Sequence, residues 1–175
     1  MAERRRLPVV QEPRPATPPE GEDEEARPPW HWIGFGVVAI FAAWLPLAAA
    51  AGALARRAYE ATFGAGAAEV EVARALGAMT SGERLRFTLS QAVPQAFALA
   101  LAAFAGGFLV GRFGKGTRPR EAAICGAATA LMATALTIRG LELGVATLVT
   151  VLVTFAIATG FAALGGRQGV RQRAR

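Results

Sequence analysis

Long apolar runs alternate with short clusters of charge between Ile33 and Gly166. In "GGFLVGRFGKGTRPREAAICGAATALMATAL" (106–136), Arg112, Lys115, Arg118 and Arg120 stand between two stretches of Ala, Leu, Phe and Gly. A soluble domain needs polar side chains all round its surface, so it intersperses its charges with its apolar residues. Here the charges gather at the N-terminus, near 56–86, at 112–121 and at the C-terminus. Segregation of this kind belongs to chains whose apolar runs lie in lipid. The expected fold is therefore an all-α membrane protein: four transmembrane helices in two hairpins, behind a disordered N-terminal tail.

Four runs carry that expectation. The first covers about 33–55, and at 1.5 Å per residue it reaches about 34 Å, enough for a hydrocarbon core of about 30 Å. Trp30 and Trp32 precede it at headgroup height, and Arg56 and Arg57 close it. Pro46 removes one backbone donor within it and frees the carbonyl of Ala42, which predicts a kink. The second run covers about 89–111, with Pro94 near its start and a helix-start signal at Thr80/Ser81 ahead of it. The third, 122–138, is the shortest and is opened by Glu121, whose carboxylate suits a helix N-terminus. "RGLE" (139–142) makes a tight hairpin into the fourth, 143–166. Together, residues 30–166 form the expected four-helix domain, followed by a basic tail at 167–175.

Between the first two runs, "AAEVEVARALGAM" places Val72, Leu76 and Met79 on one helical side, with Glu69, Glu71 and Arg74 on the rest. A short helix lying on the membrane fits this pattern, and "EVEV" alone fits an extended strand equally well. Residues 1–29 contain recurrent prolines, an acidic run over 20–25 and Leu7, Val9 and Val10 as their sizeable aliphatics. Such a segment buries too little apolar surface to offset its ordering entropy. "RRRLP" has the arginines of a twin-arginine signal, but the next apolar run begins only at Trp30, so a cleaved leader is not expected.

Four spans put both ends of the chain on one side. Thirteen Lys and Arg residues fall on that side and six on the other. The excess predicts cytoplasmic termini and a cytoplasmic central loop. Arg112, Lys115, Arg118, Arg120, Arg167 and Arg171 then become candidate contacts for lipid headgroups on the inner face. The net charge of +6 is accounted for by this anchoring, so nucleic acid is not an expected partner.

Lipid gives apolar helices no hydrophobic reason to associate, so close backbone approach and interhelical hydrogen bonds must hold them together. Small residues recur every four positions: Ala98, Ala102 and Gly106, then Ala103, Gly107 and Gly111, on the second run, and Ala122, Gly126, Ala130 and Thr134 on the third. Thr147, Thr150, Thr154 and Ala158 continue the theme on the fourth. Threonine hydroxyls bond either their own i−4 carbonyls or a neighbouring helix, and local back-bonding is the expected role. "GGFLVGRFGKGTR" and "GFAALGGRQGVR" close the second and fourth runs alike. They read as two similar membrane exits rather than as a duplicated hairpin.

No Asp, Glu, Lys, Arg or His falls in the middle of a run, where ionisable groups mark function. Gln91 and Gln95, near the outer end of the second run, could line a polar vestibule. His31 is the chain's one histidine and Cys125 its one cysteine. Neither a zinc site nor an internal disulfide follows from these, and no catalytic residue, cofactor or metal is expected. "GRFGKGTR" misses the spacing of a phosphate-binding loop.

The pattern "GGFLVGRFG…REAAICG", within 89–136, resembles a recurrent type of small bacterial four-span membrane protein of unknown function. The resemblance implies four helices and a bacterial inner membrane, and carries no functional residues with it. The leading expectation is a non-enzymatic accessory or scaffold subunit, in contact with membrane lipids and forming a homo-oligomer or joining a membrane-protein partner. Its N-terminal tail would meet a cytoplasmic partner. The alternative is a small oligomeric transporter or channel, on the strength of the threonines and Gln91/Gln95.

Overall fold

The computed structural model describes residues 30–114, 116–137 and 144–174. They form five helices: α1 Trp30–Phe63, α2 Glu69–Ala78, α3 Ser81–Phe113, α4 Pro119–Thr137 and α5 Val145–Arg173. No strand occurs among the described residues. The expected disordered tail (1–29), Lys115 and the "RGLE" hairpin lie outside them. Three helices, α1, α3 and α5, are long and apolar enough to cross a membrane. The expected third span is not among them. Its helix has 19 residues, opens on Pro119, Arg120 and Glu121, and is built mainly of Ala and Thr. Small and hydroxylated side chains keep its hydropathy below that of the Leu- and Val-rich helices.

Several helices run past the expected limits, each for a local reason. α3 begins eight residues before Leu89 because Thr80 caps it. The Thr80 hydroxyl accepts from the Glu83 N–H at 3.3 Å, and the Glu83 carboxylate accepts from the Thr80 N–H at 2.8 Å. This reciprocal arrangement satisfies two donors that a helix start leaves orphaned. α1 continues through Pro46 to Phe63, where Tyr59, Phe63 and Phe87 pack ring against ring. Gly64 and Gly66 then turn the chain at φ +88 and +77, a region that costs other residues a Cβ clash. "EVEV" is helical, not extended, and α2 buries none of its residues.

The bundle is organised around α3, which packs along α5 on one side and α1 on the other, while α4 lies mainly against α5. Its core is built from small residues. Ala98, Ala102, Ala103, Ala122, Ala130, Ala158 and Ala162 are buried, together with Ile40, Val110 and Cys125. The long apolar side chains point outward instead: Val38, Leu45, Leu101, Leu131, Leu148, Leu152 and Leu164 are exposed. A water-soluble bundle has the opposite distribution; a bundle in lipid has this one.

Candidate functional site

Two features define the site: a glycine-lined seam at the end of the bundle where α3 and α5 finish, and a crevice in its other half.

The seam follows from the four-residue spacing of small residues. Gly107 faces the backbone of Ala162, Gly111 that of Gly166, Gly165 that of Phe104 and Phe108, and Gly169 that of Phe108 and Gly111. A methyl group at any of these four glycines would run into a neighbouring main chain. Both partners of each contact advance together along the sequence, so α3 and α5 are parallel. α4 runs antiparallel to α5, since Gly166 lies against Ala122 and Gly126 against Ala158 and Ala162. α1 is antiparallel to α3: Gly106 lies against Gly36 and Ile40, while Gln95 and Gln91 donate to the carbonyls of Ala48 and Ala55 at 3.5 and 3.1 Å. The two stripes anticipated on α3 therefore serve two different partners. The Ala102/Gly106 stripe meets α1, and the Gly107/Gly111 stripe meets α5.

The two Gly-rich segments read as independent membrane exits are thus the two halves of one contact. This also corrects the boundary set at Gly166. The expected basic tail is helical as far as Arg173 because Gly169 continues the seam. Gly165, Gly166, Gly169 and Gly36 are the packing residues the sequence reading missed, although the Gly165-x-x-x-Gly169 spacing was there to be read.

A polar latch closes the same end. The Arg173 guanidinium donates to the Gly114 carbonyl and, at 3.5 Å, to that of Thr117, while Arg112 reaches Gln172 Oε1 at 3.2 Å. The buried Thr117 hydroxyl lies 2.7 Å from Gly114 O and 3.0 Å from Val110 O. The cationic Arg173 thus satisfies the carbonyl at the C-cap of α3 and one in the loop that follows. Glu121, ahead of the expected span at Ala122, accepts from the Arg118 N–H at 2.7 Å and from Arg120 Nε at 2.8 Å. Burial pushes its carboxyl up, but the Arg120 guanidinium, the backbone N–H groups and the Arg120 charge outweigh that and hold it below the ordinary Glu value. A depressed carboxylate stabilises the fold above its unfolded pKa, and that contribution disappears as pH falls through the folded pKa. Glu121→Gln is expected to cost about 1–2 kcal/mol at neutral pH. Thermal midpoints of wild type and variant should converge as pH falls below the ordinary Glu value and through the lowered folded pKa. A gap independent of pH would contradict this.

All the basic candidates among the described residues, Arg112 and Arg120 included, lie at the surface. Arg112, Arg118, Arg120, Arg167 and Arg171 are exposed, and Arg118 uses its backbone rather than its side chain on Glu121.

In the half of the bundle away from the seam the helices part. Two neighbouring hollows, about 380 and 450 Å³, share Trp44, Thr150 and Thr154. Gln95, Leu99 and Val153 wall the first; Thr134, Thr147 and Val151 wall the second. Of the expected packing residues, Ala98, Ala102, Gly106, Gly126 and Ala130 are buried between helices, whereas Thr134, Thr147, Thr150 and Thr154 line this crevice instead. Threonine back-bonding appears at Thr150, whose hydroxyl donates to Ala146 O at 2.9 Å. Gln95 does line a polar-edged hollow, while Gln91 ties α3 to α1. Among the described residues no cluster of His, Cys, Asp and Glu has the geometry to hold a metal ion. No family model, curated protein or solved structure matches this chain.

Proposed function

We propose that the chain is a non-enzymatic integral protein of a bacterial inner membrane, an accessory or scaffold subunit with both termini in the cytoplasm. The observation that carries this reading is the division of side chains. Small residues are consumed inside the bundle by the seam, and long aliphatic side chains are left on its outside, available to lipid or to another membrane chain. α4 is the fourth crossing in this account. With α3 and α5 parallel, the chain must return along the bundle between Phe113 and Val145, and α4 from Ala122 onward covers about 24 Å, with Pro119, Arg120 and Glu121 ahead of the hydrocarbon. The thirteen-to-six division of Lys and Arg supports the inward placement of the seam and both tails. The resemblance to small bacterial four-span proteins supports the choice of membrane. Residues 1–29 supply the cytoplasmic contact. A pull-down from membranes should lose its specific partners when 1–29 are deleted, and an unchanged partner set would count against the scaffold role.

The crevice favours a second reading, a small transporter or channel assembled from several copies. Reconstituted liposomes should then pass ions or small solutes. A monomer in detergent that also gives sealed liposomes would rule this reading out.

A further inference from the structure

The crevice offers hydrogen-bond acceptors and donors side by side. Thr150 has already spent its proton on Ala146 O, so its hydroxyl meets the hollow as an acceptor. Gln95 points one amide N–H at Ala48 O, which leaves its oxygen Oε1 as an acceptor and its second N–H as a donor. Thr154, shared by both hollows, has no hydrogen-bond partner among the described residues. Thr134 and Thr147 add hydroxyls to the second hollow, the rest of the walls are aliphatic or aromatic, and no ionisable side chain lines either hollow. A charged headgroup would find no counter-ion there, and a fully apolar chain would leave the acceptors unmet. The volumes fall in the range of small-molecule sites, about 300–1,000 Å³. The walls belong chiefly to helices apolar enough to cross a bilayer, which suits a ligand that partitions into the hydrocarbon phase.

We propose that this crevice binds one uncharged, hydroxyl-bearing lipid of the diacylglycerol class. Its hydroxyl donates to Gln95 Oε1 or Thr150 Oγ1, Thr154 supplies a donor to an ester carbonyl, and its chain lies along Leu99, Val153 and Ile157. This goes beyond the scaffold reading and rests on its membrane placement alone.

The test uses the full chain in phosphatidylcholine nanodiscs, with a diacylglycerol carrying a photoactivatable diazirine in one acyl chain. A second probe is identical except that its free hydroxyl is capped as a methyl ether. The free-hydroxyl probe should label residues 92–99 and 149–157 saturably, at about tenfold lower concentration than the ether. Gln95→Leu and Thr154→Val, both close to isosteric, should each weaken labelling about fivefold. Ala96→Phe should fill the hollow and abolish labelling. Equal labelling by the two probes, label spread over the outward-facing Leu148 and Leu164, or indifference to both Gln95→Leu and Thr154→Val would overturn the site. Carbonate extraction of the same membranes separates the two levels of the account. A chain released as soluble protein would overturn the membrane placement and the site together. A chain that stays in the membrane without probe selectivity would overturn the lipid site alone.

Discussion

Gly107→Leu is expected to destabilise the bundle by about 3 kcal/mol or more, the upper end for overpacking a tight interior. The reason is what the new side chain would meet. A Cβ at Gly107 runs into the main chain of Ala162, and no rotamer change can move a carbonyl out of the way. Either α3 and α5 separate along the seam, or the latch of Arg112, Gln172 and Arg173 opens at its end. The same substitution at Gly160, in the same α5, supplies the contrast. Gly160 has nothing within 4 Å of an added Cβ and is exposed. Gly160→Leu should not destabilise the bundle, and its gain in helix propensity is worth up to about 1 kcal/mol. Thermal unfolding in mild detergent reads both. Equal midpoints for the two variants would show that the seam does not hold the fold.

Gly36→Ala is expected to cost about 2 kcal/mol for a different reason, and its damage should be repairable. A Cβ there lies 2.6 Å from Cys125 Sγ and 2.7 Å from a Val110 methyl, so the obstruction is side chain rather than backbone. Trimming both neighbours in Gly36→Ala/Cys125→Ala/Val110→Ala should recover part of the loss, a favourable coupling of about 1 kcal/mol. The analogous repair cannot work at Gly107, because Ala162→Gly removes a methyl and leaves the carbonyl in place. A strictly additive triple variant would mean that α1 does not sit against α3 and α4 as described.

The apolar runs of α1, α3 and α5 were legible because hydropathy reports what must avoid water. It reports the thickness of lipid, however, and not the length of a helix. α3 therefore starts at Ser81, where Thr80 and Glu83 cap it, and α5 ends at Arg173, where Gly169 still has a partner. The small-residue stripes of α3 were also legible as packing surfaces, but not their partners. Spacing shows that a face is flat, and only the fold shows that the Gly107/Gly111 face meets Gly165 and Gly169. The same limit applies to the crevice. Gln95 and the threonines stood out as polar residues in apolar runs, whereas Trp44 had no mark on it. It joins them because four helices bring distant positions together. α4 was the least legible element, since its Ala- and Thr-rich sequence makes it a good packing helix and a poor hydropathy signal at once.

The account stands on α3 and α5 running side by side in the same direction within a bilayer. Electron–electron distance measurements between spin labels test this directly, in a Cys125→Ala background reconstituted in lipid. Labels at Phe113→Cys and Gln168→Cys should lie within about 10–20 Å, given interaxial spacings of about 8–10 Å. Labels at Ser81→Cys and Gln168→Cys should be about 45 Å apart or more, the length of α3 at 1.5 Å per residue. A short Ser81–Gln168 distance, or a long Phe113–Gln168 distance, would contradict the parallel seam and with it the proposal that α4 returns through the membrane.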